Sequence, residues 1–210
     1  MKDRARVFWE WFSTKAAAYL FLRDVDEATK AHLLDELKQR LHDYCDKLGF
    51  EIGGDPEADQ ELIITAEGNW EYFEFAETLI AEAPVTRSWG FYALIPPRGA
   101  DFEISIEDTS FRAANMWFQP MGHPGFPEVT GIRVCIPNFE AVKDKEWLYP
   151  AISKIVEYIL GEKSFALNIH YVEVGELPEA PAEFGMFPLS NLEKFIQWRK
   201  ARAMELIRSN

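Results

Sequence analysis

The chain has 210 residues, of which 48% are hydrophobic and 14% aromatic, and it carries a formal net charge of −13. A chain of this length buries about 70% of the surface that it exposes when unfolded, so we expect one domain, residues 1–210, with a full core. Its 35 acidic and 22 basic residues argue against binding to nucleic acid or an anionic membrane, because both need surface Lys and Arg. This charge suits a soluble protein or one that meets a basic partner.

The sequence contains no signature of a cofactor or of secretion. Cys45 and Cys135 form no CxxC pair and are too few for a disulfide framework. No phosphate-binding loop or set of metal ligands is recognisable, so we expect no cofactor. The apolar run AAAYLFL at 16–22 is too short to span a membrane and does not resemble a signal peptide. We therefore expect a cytoplasmic protein.

Two helices are predicted at the start of the chain. Residues 4–21 place apolar side chains at helical spacing. Asp24 and Glu27 then resemble a capping box for a second helix, which we expect to end near Gly49. Its apolar stripe advances by three and four residues and comprises Leu34, Leu37, Leu41, Tyr44 and Leu48.

Residues 61–97 are predicted to form a strand, a turn, a helix and a second strand. Asn69 is the expected N-cap, and the helix is expected to end near Pro84, because the residue before a proline leaves helical geometry. An earlier strand at 50–53 is joined to this segment by a Gly, Asp and Pro turn. The pattern is typical of a crossover unit inside a sheet.

The remaining segments predict further strands and two helices. FEISIE at 102–107 alternates apolar and polar residues, as a half-buried strand does, and we expect 113–120 to pair with it. Segment 121–127 is predicted to be a loop. Further strands are predicted at 128–136, where alternation places Ile132, Val134 and Ile136 on one face, and at 166–174. One helix is predicted after Pro150, and a final helix from a capping box of Ser190 and Glu193. The predicted fold class is α+β, a mainly antiparallel sheet covered on one face by helices from both chain ends.

Polar residues on the predicted strands form a candidate site. If those strands are neighbours, their carboxylates, arginine and histidine would suffice for acid/base chemistry or for anchoring a polar ligand. A solvated face with cross-strand ion pairs is the simpler interpretation. The candidate ligand-binding residues are Glu103, Glu107, Asn115, Trp117, Arg133 and His170.

Seven tryptophans are many for this length. Core packing is the expected role for most of them, because each buries on the order of 200 Å². Some are alternative candidates for lining a pocket, namely Trp70, Trp89 and Trp117. Others lie on the predicted terminal helices and are candidates for an oligomer interface, namely Trp9, Trp11 and Trp198.

Several short motifs resemble those of a set of bacterial proteins without an assigned activity. They are FWEWF (8–12), FEIG (50–53), ELIITAEG (61–68), AP (83–84), Trp89 and MWF (116–118). The resemblance extends along most of the chain and implies a bacterial, cytosolic, single-domain protein. It implies no catalytic residue and no cofactor.

The leading functional hypothesis is a non-enzymatic binding or protein-interaction protein. Its partner would be a basic protein or a small polar ligand, and one specific form is an immunity-type protein that blocks a basic toxin or nuclease. The alternative is a small hydrolase or isomerase that uses Glu103, Glu107, Arg133 and His170. A third hypothesis is a dimer held together by the tryptophan-bearing terminal helices.

Overall fold

The chain folds into an N-terminal unit, Met1–Pro96, and a C-terminal unit, Pro97–Asn210. The computed structural model describes residues 1–54, 59–123 and 126–208. Each unit has its own helices, strands and buried side chains, and each is described separately below. The prediction of a single domain over 1–210 stays a prediction.

The N-terminal unit is a small mixed sheet with helices packed on it. Its central strand β2 is antiparallel to β1 and parallel to β3, and α3 forms the crossover between β2 and β3. The predicted strand–helix–strand unit is therefore confirmed. The elements are α1 (Lys2–Leu20), α2 (Glu27–Tyr44), β1 (Gly49–Gly54), β2 (Gln60–Thr65), α3 (Phe73–Ala81) and β3 (Trp89–Ala93).

The N-cap of helix α2 lies two residues later than predicted. Asp26, not Asp24, is the N-cap, and its carboxylate accepts the Thr29 backbone N–H at 3.0 Å and the Thr29 hydroxyl at 2.7 Å. Both bonds hold the pKa of Asp26 below its usual value. The helix ends at Tyr44 rather than near Gly49, because Cys45 is already extended.

The core of the N-terminal unit is an aromatic layer between α1 and β3. Trp9 packs on Phe91 with ring centroids 4.5 Å apart, and Phe12 packs on Trp89 at 5.4 Å. On the neighbouring strand Leu62 is fully buried, and it pairs with Phe91 in the sheet register. The amphipathic pattern of α1 thus covers the sheet with aromatic rings.

Two hydrogen bonds tie the long helices to α3. The Trp9 indole N–H donates to the Leu79 carbonyl at 2.6 Å, and the Tyr44 hydroxyl donates to the Phe75 carbonyl at 3.0 Å. Both donors are buried side chains, so each bond satisfies a polar group that would be costly to leave unpaired. The short helix α3 is therefore held by α1 and α2 as well as by the sheet.

The burial of Tyr44 predicts a loss of stability at alkaline pH. Burial, with Cys45 next to it, raises the pKa of Tyr44 to about 12. An unfolded tyrosine ionises near pH 10, so the stability contributed by the neutral hydroxyl is present below pH 10 and is lost as the pH rises towards 12. Allowing for solvent screening, we expect the ionisation of Tyr44 to lower the free energy of unfolding by about 1 kcal/mol between pH 9 and pH 11. Urea titrations at the two pH values measure this difference.

Two phenylalanine variants separate this effect from the other tyrosines. Tyr44→Phe should reduce the alkaline slope without abolishing it, because burial also raises the pKa of Tyr19. Tyr149→Phe, at a tyrosine that is 51% exposed, should leave the slope unchanged. Equal slopes in the two variants would contradict the assignment to Tyr44.

The C-terminal unit contains a two-stranded hairpin, β4–β5, and a sheet of strand order β8-β7-β6-β9. Strands β6 and β7 are antiparallel, while β7 and β8 are parallel and are joined through α4, α5 and α6. The elements are β4 (Glu103–Ile106), β5 (Thr109–Arg112), β6 (Trp117–His123), β7 (Phe126–Ile136), α4 (Phe139–Val142), α5 (Leu148–Leu160), α6 (Glu162–Asn168), β8 (Tyr171–Glu176), β9 (Phe187–Pro188) and α7 (Leu192–Arg208).

The core of this unit lies between one face of the sheet and helices α5 and α7. Ile132, Val134 and Ile136 of β7 are fully buried, as the alternation in that strand predicts. They pack in a cluster that includes Ile152 of α5 and Ile196 of α7. The other face of the sheet carries Arg133 and its neighbours, which are described below.

The structure corrects several predicted elements of this unit. Segment 113–120 does not pair with β4; β4 pairs with β5, a strand that the sequence analysis missed. The predicted strand at 166–174 is wrong in its first part, because α6 extends to Asn168. Most of the predicted loop at 121–127 belongs to β6 and β7, and residues 124–125 lie outside the described residues, as do 55–58 of the turn before β2.

The α+β class with mostly antiparallel pairing is confirmed. Within the described part of the chain, however, the strands form three small sheets, so there is no single layer beneath helices from both chain ends. The N-terminal helices pack in the first unit and α7 packs in the second. In the part of the chain that the structure describes, every helix is too short or too polar to span a bilayer.

Candidate functional site

The β4–β5 hairpin carries the first of the predicted polar residues. Glu103 lies opposite Arg112 in the register, and Ser105 lies opposite Ser110 with 2.7 Å between their hydroxyl oxygens. All four side chains are exposed. The predicted polar face is therefore present, and its groups face one another across the hairpin.

Glu107 lies in the turn of this hairpin, with a positive φ of 51°. Its carboxylate is 3.3 Å from the Lys145 ammonium. The Trp147 indole and then Lys145 hold the pKa of Glu107 below its usual value, although Trp147 Nε1 has no hydrogen-bond partner of good geometry among the described residues. Glu107 is thus kept ionised by local neighbours.

Asn115 and Trp117 follow the hairpin. Asn115 ends a 3-10 turn, Ala113–Asn115, and lines a cavity of about 360 Å³ together with Glu103. Trp117 begins β6 and is partly buried opposite Cys135. The cavity thus brings together two of the six predicted residues.

Arg133 lies on β7 and forms an ion pair with Glu173 of β8. Its Nε and Nη2 donate to the Glu173 carboxylate at 3.0 and 2.8 Å. Both side chains are 43% exposed, so the pair stabilises the fold by only about 0.2–1 kcal/mol. Cys135 is fully buried on the same strand, and burial raises the pKa of its thiol.

His170 is engaged with the backbone of β7. The backbone N–H of His170 donates to the Thr130 carbonyl at 2.8 Å. The imidazole Nδ1 of His170 accepts the Thr130 backbone N–H at 3.0 Å. This contact extends the pairing of β7 with β8 by one residue beyond Tyr171. Its Nδ1 therefore has a structural partner.

The six predicted residues do not converge on one site. Glu103 and Asn115 share a cavity, whereas Glu107, Arg133 and His170 each contact a different partner. The reason is topological, because β4 joins a hairpin of its own and does not join the sheet that carries Arg133. Ligand binding by these residues stays a prediction. The carboxylates, histidine and arginine named for the hydrolase alternative do not form one cluster in the described structure.

Metal ions in proteins are held by groups of His, Cys, Asp or Glu side chains. In the described ranges, no group of three such side chains has an arrangement that would hold a metal ion.

The N-terminal unit displays an exposed tryptophan that the sequence analysis assigned to a pocket or the core. Trp70 is 64% exposed. Glu67 and Gly68 before it both have positive φ, and the Asn69 N–H donates to the Ala66 carbonyl at 2.9 Å, which closes a tight turn. This turn ends β2 and presents Trp70 at the start of the next helical segment.

Exposed carboxylates surround Trp70 in the chain. Glu67, Glu71 and Glu74 are all exposed. We call these three residues and Trp70 the Trp70 surface. Residue Asn69 fixes the local geometry, because its side-chain oxygen accepts the Glu71 N–H at 3.2 Å. The surface thus joins one large aromatic side chain to several negative charges.

The surrounding sequence is strongly acidic, a signal that was available without the structure. Residues 48–86 contain ten Asp or Glu and no Lys or Arg. Across the N-terminal unit there are 19 acidic and 10 basic residues. Opposite charges on a partner would therefore be attracted to this unit at separations up to about a Debye length, roughly 8–10 Å at 0.1–0.15 M salt.

Comparison with known proteins adds no activity. No protein-family model, curated protein or solved structure matches the chain.

Proposed function

We propose that this protein is a non-enzymatic binding protein that docks a basic partner protein on the Trp70 surface. The observation that carries the proposal is an indole that is 64% exposed within a stretch of 39 residues that has ten acidic residues and no basic one. Tryptophan is enriched among the residues that dominate binding energy, and a surrounding field of one sign speeds encounter with a partner of the opposite sign.

A blocking function fits this arrangement. An acidic surface around an aromatic anchor is suited to covering a basic active surface, as an immunity-type protein covers a toxin or nuclease. We place the interaction in the cytoplasm, where the free thiols of Cys45 and Cys135 stay reduced.

The test compares Trp70→Ala with the wild type as immobilised bait, followed by measurement of Kd for each captured protein. We expect a basic protein whose affinity falls at least about tenfold in Trp70→Ala, because truncating a central aromatic anchor costs more than about 1.4 kcal/mol. Its affinity should also fall as salt rises, and Glu71→Gln with Glu74→Gln should reduce this salt dependence.

Trp198→Ala provides the matched control, since Trp198 is another exposed tryptophan, on α7 of the C-terminal unit. It should retain the wild-type affinity. The proposal fails if no saturable basic partner is found at low and moderate salt, or if Trp70→Ala binds the partner as tightly as the wild type.

A further inference from the structure

The C-terminal unit contains an apolar groove of about 710 Å³ beside α7. It lies where the edge of the sheet, at β6 and β9, meets the first turns of that helix. We call it the aromatic groove. Its lining residues are Phe118, Pro120, Phe187, Asn191, Lys194, Phe195, Trp198 and Arg199.

Aromatic rings line the groove in a continuous series. Phe118 is fully buried, and its ring centroid is 5.8 Å from that of Phe187 and 5.4 Å from that of Phe195. Phe195 stacks on Trp198 at 6.1 Å. Phe187 and Trp198 are 48% and 56% exposed, so apolar surface stays in contact with solvent. The edge strand β9 has only two residues and is too short to cover this apolar surface.

Basic side chains line the same groove, although the chain as a whole is acidic. Lys194 and Arg199 both contribute to its walls. Lys194 is exposed and has no ion-pair partner among the described residues. Arg202, one helical turn beyond Trp198, places its guanidinium 5.6 Å from the Trp198 ring centroid. The groove therefore combines an aromatic floor with positive charge.

We propose that the aromatic groove binds an anionic amphiphile, with its hydrocarbon chain on the aromatic rings and its carboxylate at Lys194. The volume lies in the range of about 300–1,000 Å³ typical of small-molecule sites. The charge selects an anionic head over a cationic one. A second copy docked symmetrically through this groove is disfavoured, because a twofold interface would bring the same basic residues of the two copies together.

The experiment uses the full chain and two probes that share a hydrocarbon chain and differ in the charge of the head group. Dodecanoate and dodecyltrimethylammonium are titrated below their micelle concentrations, with binding followed by calorimetry and tryptophan fluorescence. We expect dodecanoate to bind one molecule per chain and at least about tenfold more tightly than the cation.

Variants on and beside the groove make the test specific. Lys194→Gln should weaken dodecanoate binding several-fold and leave the affinity for the cationic probe equal or higher, because a repelling charge is removed. Phe187→Ser should weaken the binding of both probes. Lys200→Gln, at an exposed lysine of the same helix outside the lining, should match the wild type. Retained dodecanoate binding in Trp70→Ala would show that the groove acts independently of the Trp70 surface.

Three outcomes would overturn the proposal. Equal affinity for the two head groups would mean unselective adhesion to apolar surface. Self-association that rises with protein concentration and is abolished by Phe187→Ser would mean that a second copy covers the groove. Binding of an acidic peptide with aliphatic side chains, without binding of dodecanoate, would make the groove a peptide site.

Discussion

Phe12→Ala is expected to destabilise the N-terminal unit by about 3–5 kcal/mol, the range for truncating a fully buried phenylalanine. Phe12 is 1% exposed and lies at the centre of the aromatic layer. Its ring is stacked on Tyr19 at 5.7 Å and meets Trp89 edge-on at 5.4 Å. The variant removes these contacts and leaves a cavity that neighbouring rings, being rigid, fill poorly. Such a loss is a large share of the 5–15 kcal/mol that stabilises a typical protein.

Phe21→Ala is the matched control for this prediction. Phe21 directly follows α1 and is 57% exposed, so the same chemical change should alter the free energy of unfolding by less than about 0.5 kcal/mol. Urea titrations of both variants, followed by tryptophan fluorescence, measure the difference. Similar losses in the two variants would show that the layer between α1 and β3 does not carry the stability assigned to it.

Gly131→Val is expected to destabilise the C-terminal unit by about 3 kcal/mol, the upper part of the usual range for overpacking. Gly131 of β7 pairs with Tyr171 of β8, and the tyrosine ring lies over the glycine. A Cβ at Gly131 would lie 1.9 Å from the Tyr171 Cζ atom. The ring would have to leave the sheet face, or the two strands would have to separate.

A second substitution tests whether the Tyr171 ring sets the cost of a side chain at Gly131. Tyr171→Ala removes the obstructing ring, so the double variant Gly131→Val with Tyr171→Ala should recover much of the lost free energy of unfolding. The double-mutant cycle should show a coupling of more than about 1 kcal/mol. Additive losses would mean that the ring does not set the cost of a side chain at Gly131. Gly122→Val is a suitable reference, since a Cβ there meets nothing within 4 Å.

The sequence predicted local structure well where one face of an element is buried. The leucines of α2 and the isoleucines of β7 were assigned to the core from spacing alone, and Leu37, Leu41, Ile132 and Ile136 are fully buried. Periodicity reports burial because a helix or strand buries one face. The same signal failed at 166–168, where apolar residues suit a helix and a strand equally well.

The candidate site was predicted less well, because it depended on which strands are neighbours. Glu103 was correctly predicted to lie on the solvent-exposed face of a strand. Its strand, however, pairs with β5 and not with the strands of the larger sheet. Every strand offers the same backbone N–H and C=O groups whatever its side chains, so alternation in a sequence shows which face is buried but does not identify the neighbouring strand. Arg133 and Glu103 were consequently grouped although they belong to different sheets.

The tryptophans also show the difference between what local sequence predicts and what depends on tertiary contacts. Trp89 and Trp9 are buried, while Trp70 and Trp198 are exposed, and the residue type alone does not separate the two pairs. Trp70 follows the turn formed by Glu67 and Gly68 and is the first residue of a 3-10 turn. The sequence shows that the residues around Trp70 are acidic, but it does not show that the Trp70 side chain is exposed.

Local patterns in the sequence were enough to predict the α+β class, the apolar faces of the main helices and strands, and the β2–α3–β3 unit, and they show the acidic character of residues 48–86. Each of these depends on residues close together in the chain. The division into three sheets, the separation of the predicted polar residues, and the exposure of the Trp70 surface and the aromatic groove became visible only in the folded chain. These depend on contacts between segments far apart in the chain, whose choice is set by packing of the whole unit and not by any local pattern.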